Sequence, residues 1–356
     1  MRFFIAQLQD HKASLKGGRQ GTLYGLSSVC VHAGVDTDMW QYIVKRLLLM
    51  LPTLIGAALV VFLLMHVVPG DVALLILGGD QGGDINPQEL VKLRAQLGLN
   101  QPLYVQFLSW LWGVVHLNFG TSLWTGTPVM EEIMIRLPLS LEVAIAATIV
   151  SIIIAIPLGT VAAIRQDTWV DYAVRVVSIG GLAIPSFWAG ILIILFLVIY
   201  FDWAPPLEFV SLFRHPWENL AQLVWPILSV GYRYAAVTSR MTRSTVLEVM
   251  REDYVRTAWA KGLRERAVVV KHALKNAILP VITIIGTEFA FLIGGLVVTE
   301  TVFTLNGIGR FMVDAIAHRD IPVVQTLVLL IACIFVCINL MVDLLYAWLD
   351  PRISYR

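Results

Sequence analysis

The first long apolar stretch of the chain reads IVKRLLLMLPTLIGAALVVFLLMHV from residue 43 to residue 67. A helix needs about 20 mostly apolar residues to cross the roughly 30 Å hydrocarbon core of a bilayer. After Lys45 and Arg46, no Asp, Glu, Lys or Arg interrupts this stretch. Its apolar residues are continuous and do not alternate with polar ones, which favours a helix over a barrel strand. The segment is therefore predicted to be a transmembrane helix.

Five later stretches have a similar apolar character. Together with the first, they predict spans at about 43–67, 138–163, 173–201, 221–241, 277–302 and 323–348. The fourth is the least apolar, because Trp225-Pro226 and Tyr232-Arg233-Tyr234 interrupt it. The whole chain is 58% hydrophobic and 14% charged, whereas soluble domains are about half apolar and a quarter charged. We therefore expect an all-α integral membrane protein with about six transmembrane helices.

Charge and cysteine usage exclude several classes of function. The net charge of +1 gives no basic field that would attract nucleic acid, so no nucleic-acid partner is expected. The three cysteines form no disulfide framework. Cys333 and Cys337 lie one helical turn apart in an apolar run, which favours packing over metal ligation. No metal site and no membrane-enzyme motif such as His-Glu-x-x-His is predicted.

Lysines and arginines are concentrated on one side of the predicted spans. The segment 240–275 contains Arg240, Arg243, Arg251, Arg256, Lys261, Arg264, Arg266, Lys271 and Lys275. The segment 69–137 contains only Lys92, Arg94 and Arg136. Because cytoplasmic loops carry the excess of positive charge, the first segment is predicted to be cytoplasmic and the second extracytoplasmic. An even number of spans then places both termini in the cytoplasm.

Residues 1–38 have no long apolar core and do not resemble a signal peptide. We expect a disordered cytoplasmic extension, with translation from Met39 as the alternative. The sequence leaves both interpretations open.

The long segment 69–137 has predicted structure of its own. Asn86 can cap a helix that has Pro87 at its first position, and Gly98 can end it. The aromatic residues that follow, Tyr104, Phe107, Trp110 and Trp112, favour a membrane–water interface. The segment is either a platform that receives a delivery protein or a lid that lies on the membrane surface, and the two are compatible.

The segment 248–280 reads EVMREDYVRTAWAKGLRERAVVVKHALKNAILP. It is too charged to span a bilayer, because each Lys or Arg costs about 2.5–3.5 kcal/mol at the centre. Its composition favours helix, and Gly262 can adopt the left-handed conformation that ends one. We predict a helix, a glycine corner and a second helix that leads into the fifth span. Small residues at 257, 258 and 260 would let another protein approach closely; the alternative is a simple connecting hairpin.

The order and spacing of several short motifs resemble a known family. The motifs are Pro69-Gly70-Asp71, Leu97-Gly98-Leu99-Asn100-Gln101-Pro102-Leu103, Arg136-Leu137-Pro138, Asp253-Tyr254-Val255-Arg256-Thr257-Ala258, Ala260-Lys261-Gly262-Leu263, His272-Ala273-Leu274, Glu300-Thr301-Val302-Phe303, Gly307-Ile308-Gly309-Arg310 and Arg319-Asp320-Ile321-Pro322-Val323-Val324-Gln325. Over most of 39–356 the chain resembles permease subunits of bacterial ATP-binding-cassette importers, and in particular the dipeptide, oligopeptide and nickel transport branch. Arg256 and Thr257 depart from the general family motif, which has Glu and Ala there. Lys275 and Asn306 stand where the general motif and the peptide branch, respectively, have proline.

The resemblance implies an architecture and a set of partners. It implies a type I importer bundle over 39–356, with a long first extracytoplasmic loop and a cytoplasmic coupling loop at 242–276. It implies a hetero-oligomer in the bacterial inner membrane, in contact with lipid. The other subunits would be a second homologous permease, one or two ABC ATPases and an extracytoplasmic solute-binding protein. The chain has no Walker-type loop, so ATP and Mg would be used by the partners and no cofactor is expected on this chain.

The resemblance and the charge pattern together nominate the functional residues. The expected ATPase-coupling residues are Asp253, Arg256, Thr257, Ala258, Lys261 and Gly262. Ionisable residues within spans are candidates for the solute path: Glu288 first, then Glu142 and Asp343, with His66 and Glu300 ranked lower. For each of these an interhelical hydrogen bond is the simpler interpretation. The expected function is ATP-driven import of peptides, nickel chelates, glutathione or a similar solute, and a secondary transporter or channel is the alternative.

Overall fold

The computed structural model describes residues 30–67, 73–74, 77, 87–96, 98–206 and 209–349. Its helices are α1 (Cys30–Val67), α2 (Pro87–Gln96), α3 (Leu103–Val115), α4 (Val129–Ile164), α5 (Trp169–Ala183), α6 (Ser186–Phe201), α7 (Pro216–Val249), α8 (Asp253–Ala260), α9 (Glu265–Ala267), α10 (Leu274–Gly295), α11 (Val297–Val302), α12 (Ile308–Ala317) and α13 (Ile321–Leu349), with a π-helical turn (Val268–Ala273) between α9 and α10. Apart from one isolated bridge between Thr121 and Pro128, the described part is all-α. The all-α prediction is confirmed.

The chain divides into two units, one of Met1–Leu48 with Ile353–Arg356 and one of Leu49–Arg352. In the first unit, the description is limited to the helical residues 30–48, of which Leu47 and Leu48 expose apolar side chains. The predicted extension 1–38 falls largely outside the described residues, as does the predicted capping residue Asn86. All contacts described below lie in the second unit.

Four helical segments in the described ranges are long and apolar enough to cross a membrane: Val44–His66, Val129–Ile164, Glu265–Gly295 and Ile321–Leu345. The pair α5 and α6 makes a fifth if it is counted as one broken span. Helix α7 covers the predicted fourth span, but it is not among these segments. Several helices are longer than the apolar stretches within them, because a helix can continue into water after its apolar part ends.

The predicted third span is not one continuous helix. The axes of α5 and α6 meet at 97° across Ile184 and Pro185. Ile184 is extended, with φ −88° and ψ 119°, as expected for a residue that precedes proline. Pro138 and Pro157, in contrast, lie within the continuous helix α4. The predicted fifth span also divides, since α10 ends at Gly295 and the short α11 follows.

Helix α7 is at the centre of the bundle and packs against α4, α5, α6 and α10. Its buried residues include an unusual number of polar side chains: Asn219, Gln222, Ser229, Thr238, Ser239, Thr242 and Thr245. Helix α4 approaches α7 closely at Gly159, where a Cβ atom would lie 2.5 Å from the Ser239 carbonyl oxygen. Small residues allow such close packing between membrane helices. The weak apolar signal of the fourth span thus reflects a helix that is covered by other helices.

The segment that precedes α4 docks on the end of α1. Gly98 has φ +68° directly after α2, as predicted for a glycine that ends a helix. The Phe62 ring on α1 contacts the Phe107 ring on α3, with centroids 5.3 Å apart. The opposite face of α3 exposes Tyr104, Leu108 and Trp112. Both the platform and the lid interpretation are compatible with this arrangement.

Candidate functional site

The charged segment after α7 folds as a compact corner. Helix α8 ends at Ala260, and Gly262 has φ +76°. The Gly262 N–H donates to the Trp259 carbonyl at 2.9 Å and the Leu263 N–H donates to the Ala258 carbonyl at 3.4 Å. This pair of bonds is the Schellman arrangement, which satisfies the carbonyls at a helix end. The predicted sequence of helix, glycine corner and second helix is confirmed.

The corner has a small apolar core of its own. Val255 and Ala258 on α8 are buried against Val268 at the start of the π-helical turn, with Val249 and Met250 packed around them. Ala258 was nominated as a small residue that a partner could approach, but its side chain points into this core and is 5% exposed. Ala258 therefore does not form part of the exposed surface of the corner; it packs in the core that supports α8.

The other nominated coupling residues lie on the outside of the corner. Asp253, Arg256, Thr257, Lys261 and Gly262 are all exposed. An Arg256 nitrogen lies 3.4 Å from Asp253 Oδ1, but these side chains are 72% and 95% exposed, so the pair adds little stability. A Cβ atom at Gly262 would have no atom within 4 Å. The outer face of the corner is thus open and polar.

Three exposed apolar side chains on this corner were not nominated from the sequence. Trp259 is 42% exposed, Tyr254 41% and Leu263 38%. Trp259 and Leu263 lie at the end of α8, whereas Tyr254 lies in its first turn, where its hydroxyl accepts a hydrogen bond from Asn276 Nδ2 at 2.8 Å. Large apolar residues exposed near a polar surface often mark a protein contact. Their signal in the sequence is the presence of large apolar residues in an otherwise charged segment.

A buried ion pair fixes α7 to α5 on the same side of the bundle. Asp171 on α5 is completely buried, and the Arg243 guanidinium on α7 donates to both its oxygens, at 2.6 and 2.7 Å. Arg175 donates to Asp171 Oδ2 at 2.9 Å, as does the Asp167 backbone N–H at 3.0 Å. Sequence reasoning missed this pair, because its members are 72 residues apart. Nothing in the loop itself singles out Asp171, because residues 165–175 contain two arginines and two aspartates.

Among the path candidates, Glu288 has the most distinctive surroundings. It lies on α10, where its Oε2 accepts a hydrogen bond from Thr238 Oγ1 on α7 at 2.8 Å. Its Oε1 is buried without a hydrogen-bond partner among the described residues. Unpaired buried carboxylate oxygens are costly in a protein interior. The site therefore has unused capacity to accept a hydrogen bond or bind a cation.

Glu142 and Asp343 are half-buried on other helices, α4 and α13. The three candidate carboxylates thus come from three helices of the bundle. Asp343 is not isolated, since it has a polar or electrostatic contact within the chain. Their place on the solute path stays a prediction.

Glu300 has a structural explanation. It is fully buried; its Oε1 accepts from Ser140 Oγ at 2.6 Å and its Oε2 accepts from the Arg310 backbone N–H at 2.9 Å. Ser140 Oγ in turn accepts from the Ile308 N–H at 2.8 Å. The carboxylate and the hydroxyl thereby cap the first turn of α12. At Gly307 a Cβ atom would lie 2.2 Å from Glu300 Oε1, which explains the glycine there.

His66 also has a structural role at the outer end of α1. Its ring nitrogens contact the Phe62 carbonyl oxygen at 2.8 Å and Gln106 Oε1 at 3.2 Å. The contact with Gln106, which lies on α3, holds α3 against α1. No group of three or more His, Cys, Asp or Glu residues in the described ranges could hold a metal ion.

The comparisons with known proteins cover nearly the whole chain. The binding-protein-dependent transport system inner membrane component family matches residues 155–355, and the N-terminal region of such membrane components matches residues 39–144. Dipeptide transport system permease proteins DppB are similar to it, from Alkalihalophilus pseudofirmus (39% identity over 337 residues) and from Escherichia coli (37% over 341). A probable peptide ABC transporter permease of Sinorhizobium fredii is 40% identical over 319 residues.

Each of these alignments covers 89% of this chain and all of the relative. Both the region that contains the glycine corner and the region before α4 thus lie within matched family regions. The family supplies the membrane component of transport systems that also contain a binding protein and ATPase subunits. The chain therefore belongs to the family of inner-membrane components of binding-protein-dependent transport systems and is a multi-pass permease subunit of an ABC importer, not its ATPase.

Proposed function

We propose that this permease is one half of an importer that moves di- or oligopeptides across the inner membrane into the cytoplasm. The observation that carries the proposal is the full-length similarity to dipeptide permeases at 37–39% identity. The second half is a homologous permease, and one or two ABC ATPases bind and hydrolyse ATP with Mg. A solute-binding protein delivers the peptide to the face that carries the 69–137 segment. Both termini lie in the cytoplasm.

The glycine corner is the docking site for one ATPase subunit. Its outer face, with Asp253, Arg256, Thr257 and Lys261, is exposed and open at Gly262. The apolar side chains Trp259 and Leu263 add contact area beside these polar groups. An ATPase groove that accepts α8 would bind both sets of side chains and would approach the backbone closely at the glycine.

The connections of α8 explain how a movement of the ATPase reaches the solute path. On one side α8 follows α7 after a short turn, and on the other it leads through α9 and the π-helical turn into α10. Thr238 on α7 and Glu288 on α10 are joined by a hydrogen bond. A displacement of the corner therefore acts on both helices that hold this contact. Closure of the ATPase pair would favour one of two arrangements of these helices, which is alternating access driven by differential contacts.

The test is purification of the tagged chain from its native cell in mild detergent, with identification of the co-purifying proteins by mass. A second permease and one or two ATPase subunits are expected. The purified complex is then reconstituted in liposomes with its binding protein, and ATP-dependent uptake of a radiolabelled dipeptide and a pentapeptide is measured. ATP-dependent uptake of either confirms the proposal. A complete complex that transports another solute but neither peptide contradicts it.

A further inference from the structure

A positive charge lies at the middle of the central helix. Arg233 is halfway along the 34-residue helix α7, and its side chain is exposed on the surface of the single chain. No carboxylate oxygen of the other described residues lies within 4.0 Å of its guanidinium nitrogens, and none of these residues forms a hydrogen bond with it. An arginine at the centre of a bilayer costs about 2.5–3.5 kcal/mol even on the mildest scale. Arg233 lies within the predicted fourth span, 221–241, and exposure of its charge to lipid there would carry this cost.

The packing of α7 restricts the direction in which Arg233 can point. Four helices, α4, α5, α6 and α10, cover the other sides of α7. Intramembrane charges in such bundles face the protein interior or a water-filled cavity. In a transporter made of two permease halves, the uncovered side of a central helix is the side that meets the other half and the space between them. On that side Arg233 would face the space between the two halves, through which the solute passes.

Glu288 provides the electrostatic setting of this arginine. The Glu288 carboxylate on α10 is within range of the charge of Arg233, but the two side chains form no ion pair. Instead, Glu288 is held by Thr238. The opposite charge nearby lowers the cost of placing Arg233 in the membrane. The planar donor groups of the guanidinium stay available for a ligand.

We propose that Arg233 binds the terminal carboxylate of the transported peptide, an inference that rests on the proposed peptide transport. Guanidinium donors match a carboxylate in a bidentate geometry, and such charge-assisted bonds are about twice as strong as neutral ones. A free carboxylate is common to unmodified peptides of every sequence and length. One fixed arginine therefore recognises the class without selecting among side chains, which leaves selection of individual peptides to the binding protein.

The test uses the complete reconstituted complex with its binding protein at saturating concentration. Uptake of a dipeptide with a free carboxylate is compared with uptake of the same dipeptide as its C-terminal amide. The variants are Arg233→Gln, Arg233→Lys and, as a control, Arg214→Gln, which removes an exposed arginine outside the bundle helices. ATP hydrolysis and recovery of the second permease are measured for each variant.

For Arg233→Gln we expect uptake of the free dipeptide per ATP hydrolysed to fall about tenfold or more, with the preference for free acid over amide lost. Arg233→Lys, which keeps the charge but not the planar donors, should fall between the two, and Arg214→Gln should match the wild type. Unchanged uptake and preference in Arg233→Gln would overturn the inference. Loss of the second permease from the Arg233→Gln complex would also overturn it, because Arg233 would then belong to the contact between the two halves.

These outcomes separate the inference from the proposed function. If the wild-type complex transports neither peptide, the proposed function fails first. If the wild type transports them and Arg233→Gln does so equally well, only the carboxylate assignment fails.

Discussion

Two glycine-containing corners of the molecule differ in what surrounds the missing side chain. At Gly262 the backbone is left-handed, and a Cβ atom would have no neighbour within 4 Å. At Gly307 the backbone has an ordinary φ of −97°, and a Cβ atom would lie 2.2 Å from a buried carboxylate. The first glycine is required by the conformation of the chain, and the second by the space that Glu300 fills. An open corner is available to a partner, whereas a filled corner serves the fold.

The comparison predicts opposite consequences for the two corners. Changes at the filled corner should lower the stability of the chain itself. Changes at the open corner should leave the chain folded and reduce ATPase binding and ATP-driven uptake. Four substitutions test this, in order of decreasing effect on stability.

Glu300→Ala should be the most destabilising. It leaves the Ser140 hydroxyl and the Arg310 N–H without their buried acceptor and opens a cavity. The expected loss in the free energy of unfolding is about 3–5 kcal/mol. Thermal unfolding of the purified chain in detergent, followed by size-exclusion chromatography, measures it. An unfolding temperature equal to that of the wild type would contradict the capping role.

Gly307→Ala should destabilise by about 1–3 kcal/mol, because overpacking forces the buried Glu300 carboxylate out of its place. The same unfolding assay applies. The matched control is Gly295→Ala, at the end of α10, where a Cβ atom would have no neighbour within 4 Å and the backbone is not left-handed. If both variants lose the same stability, the close contact with Glu300 is not what requires glycine at 307.

Gly262→Trp should cost only about 1–2 kcal/mol of stability, from the left-handed backbone. Its Cβ atom has no neighbour within 4 Å in this chain, and its ring occupies the surface where the ATPase is proposed to dock. We expect a folded, inserted permease that loses its ATPase on purification and has little or no ATP-driven uptake. Co-purification of the ATPase at the wild-type ratio together with normal uptake would exclude docking at this corner.

Gly262→Asn should have the smallest effect on stability, since asparagine tolerates the left-handed conformation. The unfolding temperature is expected within a degree or two of the wild type, because surface changes without strain are worth about 0.5 kcal/mol or less. Uptake should lie between those of the wild type and Gly262→Trp. A loss of uptake as complete as that of the tryptophan variant, with the ATPase still bound, would point to backbone flexibility and not to side-chain volume.

Local features of the sequence predicted the open corner well. A glycine after a run of helix-forming residues indicates a helix end from the chain's own preferences, and Gly262 and Gly98 both behave in this way. The apolar runs likewise predicted the four helical segments of the described chain that are long and apolar enough to cross a membrane, because burial in lipid requires such runs whatever the neighbours are. These signals depend only on the residues close to them in the sequence.

The filled corner could not be predicted in the same way. Glu300 depends on Ser140, which is 160 residues away, and Asp171 depends on Arg243, which is 72 residues away. A single sequence gives no sign that such residues meet. The same applies to Ala258, whose small size is compatible with a partner or with a core, and which the fold places in a core. The bend at Ile184 and Pro185 was signalled by the proline, but Pro157 gives the same signal within a continuous helix.

The π-helical turn at Val268–Ala273 determines how the side chains of α10 are oriented around the helix axis. One residue of an α-helix corresponds to a rotation of about 100° around its axis, and a π-helical turn contains an additional residue within its hydrogen-bonded loop. Everything that follows the turn, including Glu288, is therefore rotated relative to α9 from the orientation that an uninterrupted α-helix would give. The winding of this one turn, a few residues after the glycine corner, decides which side of α10 faces Thr238 on α7.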